Sequence, residues 1–288
     1  MIREIEAKLL SSRYIRDEMR KTNKMKPGIG RKLFRMGGCV KVLIQHRFNL
    51  WAYQREIDLI KNNNFIYSFE RYGKIISMYL PHYEVDYIQQ FIAKWADFYE
   101  AEDLEYLRNV YLRDGNVILD IGANIGNHTV FFSKICNAER VYAFEPISET
   151  YSTLCRNLAL NHIEDTVVVY NVALGNTSGK AKIKCFDPYN IGAAQVEEAH
   201  DGSISMKRLD DYKFERIDFI KIDVEGFEYD LLKGAKNTLS KFSPVIYIEI
   251  FEGNFSKVDK LLRSYGYTAN AHPIGYCNYI YSKSVAVE

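Results

Sequence analysis

The residues Asp120-Ile121-Gly122-Ala123-Asn124-Ile125-Gly126-Asn127 follow a short apolar run and lead directly into a helical stretch. Glycines at such a junction let a ligand lie against the backbone, and the unpaired N–H groups of a helix start face a carboxylate. A tight bend alone would use the same residues, so the loop needs a second feature beside it. Phe144-Glu145-Pro146 closes the next apolar run and puts an acceptor-only carboxylate where a ribose diol takes a bidentate partner. Dinucleotide sites favour G-x-G-x-x-G with a pyrophosphate against the helix end. This loop opens instead on Asp120, which repels a pyrophosphate and suits a ligand with an amino group and a sulfonium. The pattern favours S-adenosylmethionine over a nicotinamide or flavin dinucleotide.

Methyl transfer from a sulfonium is an in-line displacement, so the protein has to aim the acceptor atom and manage its proton. A hydroxyl acceptor is a poor acid, and a carboxylate, a histidine or a metal beside it helps. Asp223-Val224-Glu225-Gly226 follows the fourth apolar run. Strand periodicity puts Asp223 and Glu225 on one face if the strand persists, and Glu249, near the end of the next run, is a third acid close in sheet order. Three such carboxylates can bind a divalent cation, or one can act as base while another orients the acceptor. The plainer reading is that Asp223 caps the helix beginning near Phe227 and Glu225 pairs with a lysine. His128, just after the glycine loop, is a fourth candidate for handling the proton, against a structural role in the helix's first turn. Phe186-Asp187-Pro188-Tyr189 lies away from the fourth run and reads as a turn.

These residues need a sheet to hold them. Apolar runs at 117–121, 140–144, 167–171, 219–222 and 245–250 alternate with helix-length segments at 127–136, 149–160, 229–240 and 257–265. Runs that are continuously apolar are buried on both faces, as in a parallel sheet covered by helices, and ligands on such sheets bind beyond the strands' carboxyl ends. The fold expected is therefore α/β and doubly wound. Residues 178–208 interrupt the rhythm with a hairpin and the loop 187–192, and 276–281 suits a final antiparallel strand. Before the core come a helix over 2–20, a break at Pro27-Gly28, a helix from Leu50, a hairpin over 65–80 turning at Arg71-Tyr72-Gly73, and helices at 85–94 and 102–111. The domains expected are a basic helical extension at 1–64, a hairpin-and-helix segment at 65–112, and a catalytic domain at 113–288.

At this point four motifs, in order, resemble the FkbM family of S-adenosylmethionine-dependent methyltransferases: Val117 to Gly126, Ala143-Phe144-Glu145-Pro146, Asn171-Val172-Ala173-Leu174-Gly175, and Ile220 to Glu228. The resemblance covers roughly residues 64–282, including Phe98-Tyr99-Glu100. It implies a class I methyltransferase fold (Rossmann-like), mostly O-methylation, and sugar or natural-product hydroxyls as acceptors. Carried over by position, Gly122, Asn124, Gly126 and Asn127, with Asp120 and Ala123 in the same loop, line the methionine moiety. Glu145, followed by Pro146, holds the ribose; Asn171, Val172 and Ala173 sit near the adenine; and Glu100 lies near the amino-acid end.

Composition limits the remaining choices. With 288 residues, 47% hydrophobic, 26% charged and a net charge of +1, the chain has no global attraction for nucleic acid or a membrane. Bases from Arg3 to Lys41 nevertheless far outnumber the acids Glu4, Glu6, Asp17 and Glu18, so this arm suits an anionic partner or forms a solvated helix face. The start lacks the apolar core of a secretory signal, and no run approaches the roughly eighteen apolar residues of a membrane span. Five scattered cysteines without a Cys-x-x-Cys pair fit a reducing, cytoplasmic setting. The leading expectation is O-methylation of a sugar or glycan hydroxyl, nucleotide-linked or part of a surface polysaccharide, with a homo-oligomer through the N-terminal region a further possibility. Nucleic-acid methylation, or a non-catalytic module that only binds cofactor, stays open beside it.

Overall fold

The computed structural model describes residues 54–55, 57–187, 190–270 and 277–283. The chain divides into two compact units, Met1–Leu59 and Ile60–Glu288. The basic arm, the helix expected over 2–20 and any oligomer contact there lie outside the described residues. Among the described residues no helix is long and apolar enough to cross a membrane.

The second unit opens with the hairpin β1 (Ile66–Arg71) and β2 (Lys74–Tyr79), turning at Tyr72-Gly73. Helices α1 (Tyr87–Trp95) and α2 (Ala101–Val110) follow, α1 capped by Asp86, whose side chain accepts from the Gln89 amide at 2.9 Å. The core then runs β3 (Val117–Ile121), α3 (Asn127–Val130, widening into a π-helical turn over Phe131–Ile135), β4 (Arg140–Phe144), α4 (Ser148–Asn161) and β5 (Val167–Tyr170). After it come β6 (Ala173–Leu174), β7 (Gly179–Asp187), β8 (Asn190–Glu198) and β9 (Ile204–Lys207). The chain closes with β10 (Phe219–Ile222), α5 (Glu228–Lys233), α6 (Lys236–Phe242), β11 (Val245–Glu249), α7 (Glu252–Ser264), β12 (Thr268–Ala269) and β13 (Asn278–Ser282).

The main sheet has the order β12-β13-β11-β10-β3-β4-β5, with β11, β10, β3, β4 and β5 parallel and β13 antiparallel to β11. All five residues of β3 are buried, as a strand covered on both faces requires. The chain moves outward from β3 through β4 to β5, then returns to build β10 and β11 on the other side of β3. Strand order therefore reverses between β3 and β10, and the crevice beyond their carboxyl ends is the binding position for a sheet of this kind. The fold is the doubly wound, Rossmann-like α/β architecture that the sequence leads one to expect.

Two segments differ from the sequence expectation. The helix expected over 229–240 is two helices, because the chain breaks at Gly234-Ala235, where the Gly234 carbonyl accepts from the Asp210 amide at 3.0 Å. Asp210 then caps α6 by accepting from the amides of Asn237 and Thr238 at 3.0 and 2.8 Å. The insertion is more than a hairpin: β6, β9, β7 and β8 form a four-stranded sheet in that order. Of the turn read at 186–189, the structure describes Asp187 paired with Asn190 and not the two residues between.

The free edge of β2 is closed by side chains rather than by a strand. Asn161 accepts from the Ser77 amide at 3.1 Å and donates to its carbonyl at 2.7 Å. One turn earlier on α4, Asn157 accepts from the Tyr79 amide at 2.5 Å and donates to the Ile125 carbonyl at 2.8 Å. Two carboxamides thus imitate a neighbouring strand, and Asn157 ties the hairpin to the glycine loop. Asn157 is fully buried, so Asn157→Leu leaves the Tyr79 amide and the Ile125 carbonyl without partners. We expect a loss of about 3 kcal/mol of stability, read as a lower urea midpoint at unchanged slope.

Candidate functional site

A cavity of about 310 Å³ opens where the carboxyl ends of β3, β4, β10 and β11 meet. β8 roofs it: a Cβ on Gly192 would stand 2.3 Å from the Asn124 side-chain nitrogen, so the strand lies close against the loop. Tyr87 and Ile88 of α1 and Tyr99 complete the cover.

The floor is the glycine loop. Gly122 has φ +76°, and a Cβ there would meet the Asp223 carbonyl oxygen at 1.7 Å, so the ends of β3 and β10 approach through the missing side chain. The Gly122 and Ala123 amides donate to the Phe144 carbonyl at 2.9 and 3.0 Å. Asn124, also at positive φ, donates its amide to Glu145 Oε2 at 2.9 Å, and the Ile147 amide donates to Glu145 Oε1 at 2.8 Å. Burial pushes the Glu145 carboxyl up to about 7 against these two bonds.

Of the residues expected around a cofactor, Glu100, Gly122, Asn124, Glu145, Pro146, Val172 and Ala173 line the cavity. Asp120, Ala123, Gly126, Asn127 and Asn171 do not, and the reason differs for each. Asp120 is fully buried, accepts from Thr129 Oγ1 at 2.5 Å, and has Lys221 Nζ 3.7 Å from its other oxygen. Ala123 is buried beneath the loop, and Gly126 packs on Leu154. Asn127 brackets the Tyr99 backbone, accepting from its amide at 2.9 Å and donating to its carbonyl at 3.0 Å. Asn171 donates to the carbonyls of Glu145 and Pro146 at 2.8 and 3.1 Å, so it holds the turn that carries Glu145.

His128 is likewise outside the cavity lining. Its buried ring lies against Phe132, with Nε2 3.3 Å from Glu100 Oε2, an ion-pair distance without hydrogen-bond alignment. Glu100 starts α2 at φ 59° and accepts from Asn278 Nδ2 at 3.3 Å. Burial works to raise the Glu100 carboxyl, but the neighbouring His128 ring outweighs it and holds the group below its ordinary value. The histidine is thus a support for Glu100 from behind.

Beside the loop, one oxygen each of Asp223, Glu225 and Glu249 lies within 4.8 Å of the others, and all three residues line the cavity. The route to this cluster differs from the expectation. β10 ends at Ile222, so strand alternation does not align Asp223 with Glu225; the turn does, with Glu225 at φ 51° and Gly226 at φ 100°. Neither plainer reading holds. Glu228, not Asp223, accepts from the Gly226 amide at the start of α5, and the nearby lysine pairs with Asp223, not Glu225. Burial and the Asp223 charge push Glu249 up to about 9, and burial, Asp223 and Glu228 push Glu225 to about 7.

That lysine, Lys221, escaped the sequence reading. It is 3% exposed, donates to the Gly122 carbonyl at 2.7 Å, and lies 3.3 Å from Asp223 Oδ2. Burial disfavours its charge, yet Asp223 and Asp120 more than compensate, and the ammonium is held above its ordinary value. A lysine inside the apolar run Ile220-Lys221-Ile222 is the signal that would have found it, since a buried lysine needs acids around it.

The donor set suits a cationic cofactor. Glu100, Glu145, Asp223, Glu225 and Glu249 line the space, while Lys221 sits behind the wall, so an ammonium and a sulfonium meet acidic oxygens rather than fixed cations. Comparison with known proteins agrees. The model of the Methyltransferase FkbM domain matches residues 120–269, just over half of the chain. Hexuronic acid methyltransferase AglP of Haloferax volcanii is 29% identical over 65% of this chain and 77% of its own length. Methyltransferase 1 of Beauveria bassiana is 28% identical over 54% and 73%, and the 2-O-methyltransferase NoeI of Sinorhizobium fredii 30% over 46% and 62%. A crystal structure of Methyltransferase FkbM from Methylobacillus flagellatus aligns at 20% identity and a TM-score of 0.43, over 68% of this chain and about half, 52%, of that one. The glycine loop, Glu145 and the acid-bearing turn after β10 all fall within the matched span, and the chain belongs to the FkbM family of S-adenosylmethionine-dependent methyltransferases.

Proposed function

We propose that this chain methylates a hydroxyl of a sugar or glycan. The observation that carries the reading is the convergence of Asp223, Glu225 and Glu249 in the cavity lining, beside the glycine loop. When bound, S-adenosylmethionine supplies a methyl carbon already activated by its sulfonium. Glu145 holds the ribose end, with lone pairs left on both oxygens after its two backbone bonds. Val172 and Ala173 flank the adenine, and Glu100 receives the ammonium. Asp223 takes the proton from the acceptor hydroxyl, and Glu249, which keeps its own proton at neutral pH, orients the acceptor oxygen. Two relatives, one named for a hexuronic acid and one for 2-O-methylation, favour a sugar oxygen over nitrogen or carbon.

The direct test uses labelled S-adenosylmethionine with a panel of free sugars, glycans and nucleotide sugars, reading a mass gain of one methylene. Label that reaches RNA or a protein amine and no sugar in that panel overturns the proposal.

Two further results are expected. Cofactor affinity falls by up to about tenfold for each pH unit below 7, because the Glu145 carboxyl, at about 7, must be ionised to accept both ribose hydroxyls. Calorimetric titration at pH 6 and pH 8 measures this. Turnover also survives exhaustive chelation, since Lys221 already places a fixed cation 3.3 Å from Asp223 and protons neutralise the two glutamates. Activity lost to EDTA and restored by magnesium or manganese would assign the three carboxylates to a divalent cation instead.

A further inference from the structure

Helix α1 carries Tyr87, Phe91 and Trp95 at a spacing of four, which stacks the three rings on one face. The opposite face buries Gln89, Ile92 and Ala93. Tyr87 is 55% exposed and Trp95 60%. Tyr99 touches both Tyr87 and Phe91 edge-to-face, with centroids 5.9 and 5.5 Å apart, and Trp95 follows Phe91 at 6.3 Å. Tyr87 and Tyr99 also line the cavity, so the stripe is continuous with the site and runs out of it for about 12 Å at the helical rise of 1.5 Å per residue. Scattered exposed rings are ordinary on a protein surface; two exposed rings in register about the half-buried Phe91, leading out of a cavity, mark a binding surface.

Flat exposed rings accept either nucleobases or the C–H faces of sugars. Strand-binding tracks for nucleic acid join their rings to a basic groove that follows the phosphates. Here the cavity end of the stripe carries the ionised acids Glu100 and Asp223, and Lys94 lies at the far end, 5.1 Å over the Trp95 ring. Carboxylates at the mouth repel phosphate, which disfavours a nucleic acid and also a nucleotide-linked sugar with its diphosphate.

We infer that α1 is an acceptor track on which Tyr87, Phe91 and Trp95 seat uncharged sugar units of an oligosaccharide, beyond the unit whose hydroxyl enters the cavity. The inference rests on the sugar-hydroxyl reading above and narrows it: the acceptor is an assembled glycan, and methylation follows the glycosyl transfers that build it.

A length series tests this with the full chain and labelled S-adenosylmethionine. The acceptors are ladders from monosaccharide to tetrasaccharide built on glucose, N-acetylglucosamine, mannose or rhamnose, with the matching nucleotide sugars alongside. On a ladder that is methylated, KM falls by about tenfold from monosaccharide to tetrasaccharide. Trp95→Ala removes that gain and leaves the monosaccharide rate unchanged, while Trp95→Phe keeps most of it. Equal kcat/KM along the ladder, a Trp95→Ala loss of the same size at every length, or a preference for the nucleotide sugar overturns the track and leaves the sugar reading standing. If no sugar in any form is methylated, the sugar reading falls and the track falls with it.

Discussion

Asp223→Asn lowers turnover by about a thousandfold, within the range by which a positioned general base accelerates proton removal, while affinity for S-adenosylmethionine stays within about twofold. Asparagine keeps the shape of the side chain and an oxygen for the Lys221 contact at 3.3 Å, so the wall of the cavity survives. What it loses is the ability to take a proton. The companion variants separate the roles. Glu249→Gln imitates the protonated acid and keeps most of the activity, whereas Glu249→Ala loses the hydrogen bond and most of the turnover. Single-turnover rates for the three variants, with cofactor affinity measured by calorimetry, check the scheme. Wild-type turnover in Asp223→Asn removes the assignment.

The same cluster makes a stability prediction with a definite sign. Glu249 and Glu225 are raised above the ordinary carboxyl value in the folded chain, to about 9 and about 7. Across that window the folded state binds more protons than the unfolded one, so stability is full below the ordinary carboxyl range and declines as pH rises through 7 and 9. Removing the Asp223 charge relieves both glutamates but takes a partner from the buried Lys221 ammonium, so Asp223→Asn should lower the melting temperature of the cofactor-free protein less at pH 9 than at pH 5.

How far the sequence could be read follows from what kind of signal each feature leaves. The edges of β3, β4 and β10 were legible to the residue, because strands buried on both faces are continuous apolar runs with sharp ends. Glu145 and the Asp223 turn were legible because a sheet of this kind puts its ligand at strand ends, and both lie there. Asp120, Asn127 and Asn171 belong to the same motifs but turn away from the cavity, since a motif records which residues occur together and not where each side chain points. His128, open in the sequence between a proton carrier and a structural residue of the first helical turn, stands behind Glu100. Long-range pairing left the weakest trace. The Asn157 and Asn161 clamp on β2 and the lie of β8 over Asn124 join residues more than sixty positions apart, and nothing local in the sequence announces them.

Gly122→Ala should cost more than about 4 kcal/mol, a value reached only by a few severe mechanisms, and should abolish cofactor binding. Two separate penalties meet at this position. The backbone has φ +76°, where an L side chain is strained, and the added carbon would stand 1.7 Å from the Asp223 carbonyl oxygen, which belongs to the backbone and has no rotamer to yield. Relief requires β3 and β10 to part at their carboxyl ends. That movement would break the Asp223 amide's bond to the Ile121 carbonyl and the Lys221 bond to the Gly122 carbonyl together. Lys221 would then be a buried ammonium with fewer partners, the most expensive outcome in the site. Gly73→Ala is the control, because Gly73 has φ +71° but no atom within 4 Å of the new carbon. It carries the conformational strain alone, about 1 kcal/mol. Urea denaturation of the two variants, with calorimetry using S-adenosylmethionine, compares them directly. Equal losses in both, with cofactor still bound by Gly122→Ala, would mean that the close approach of the two strands is not what shapes the cofactor floor.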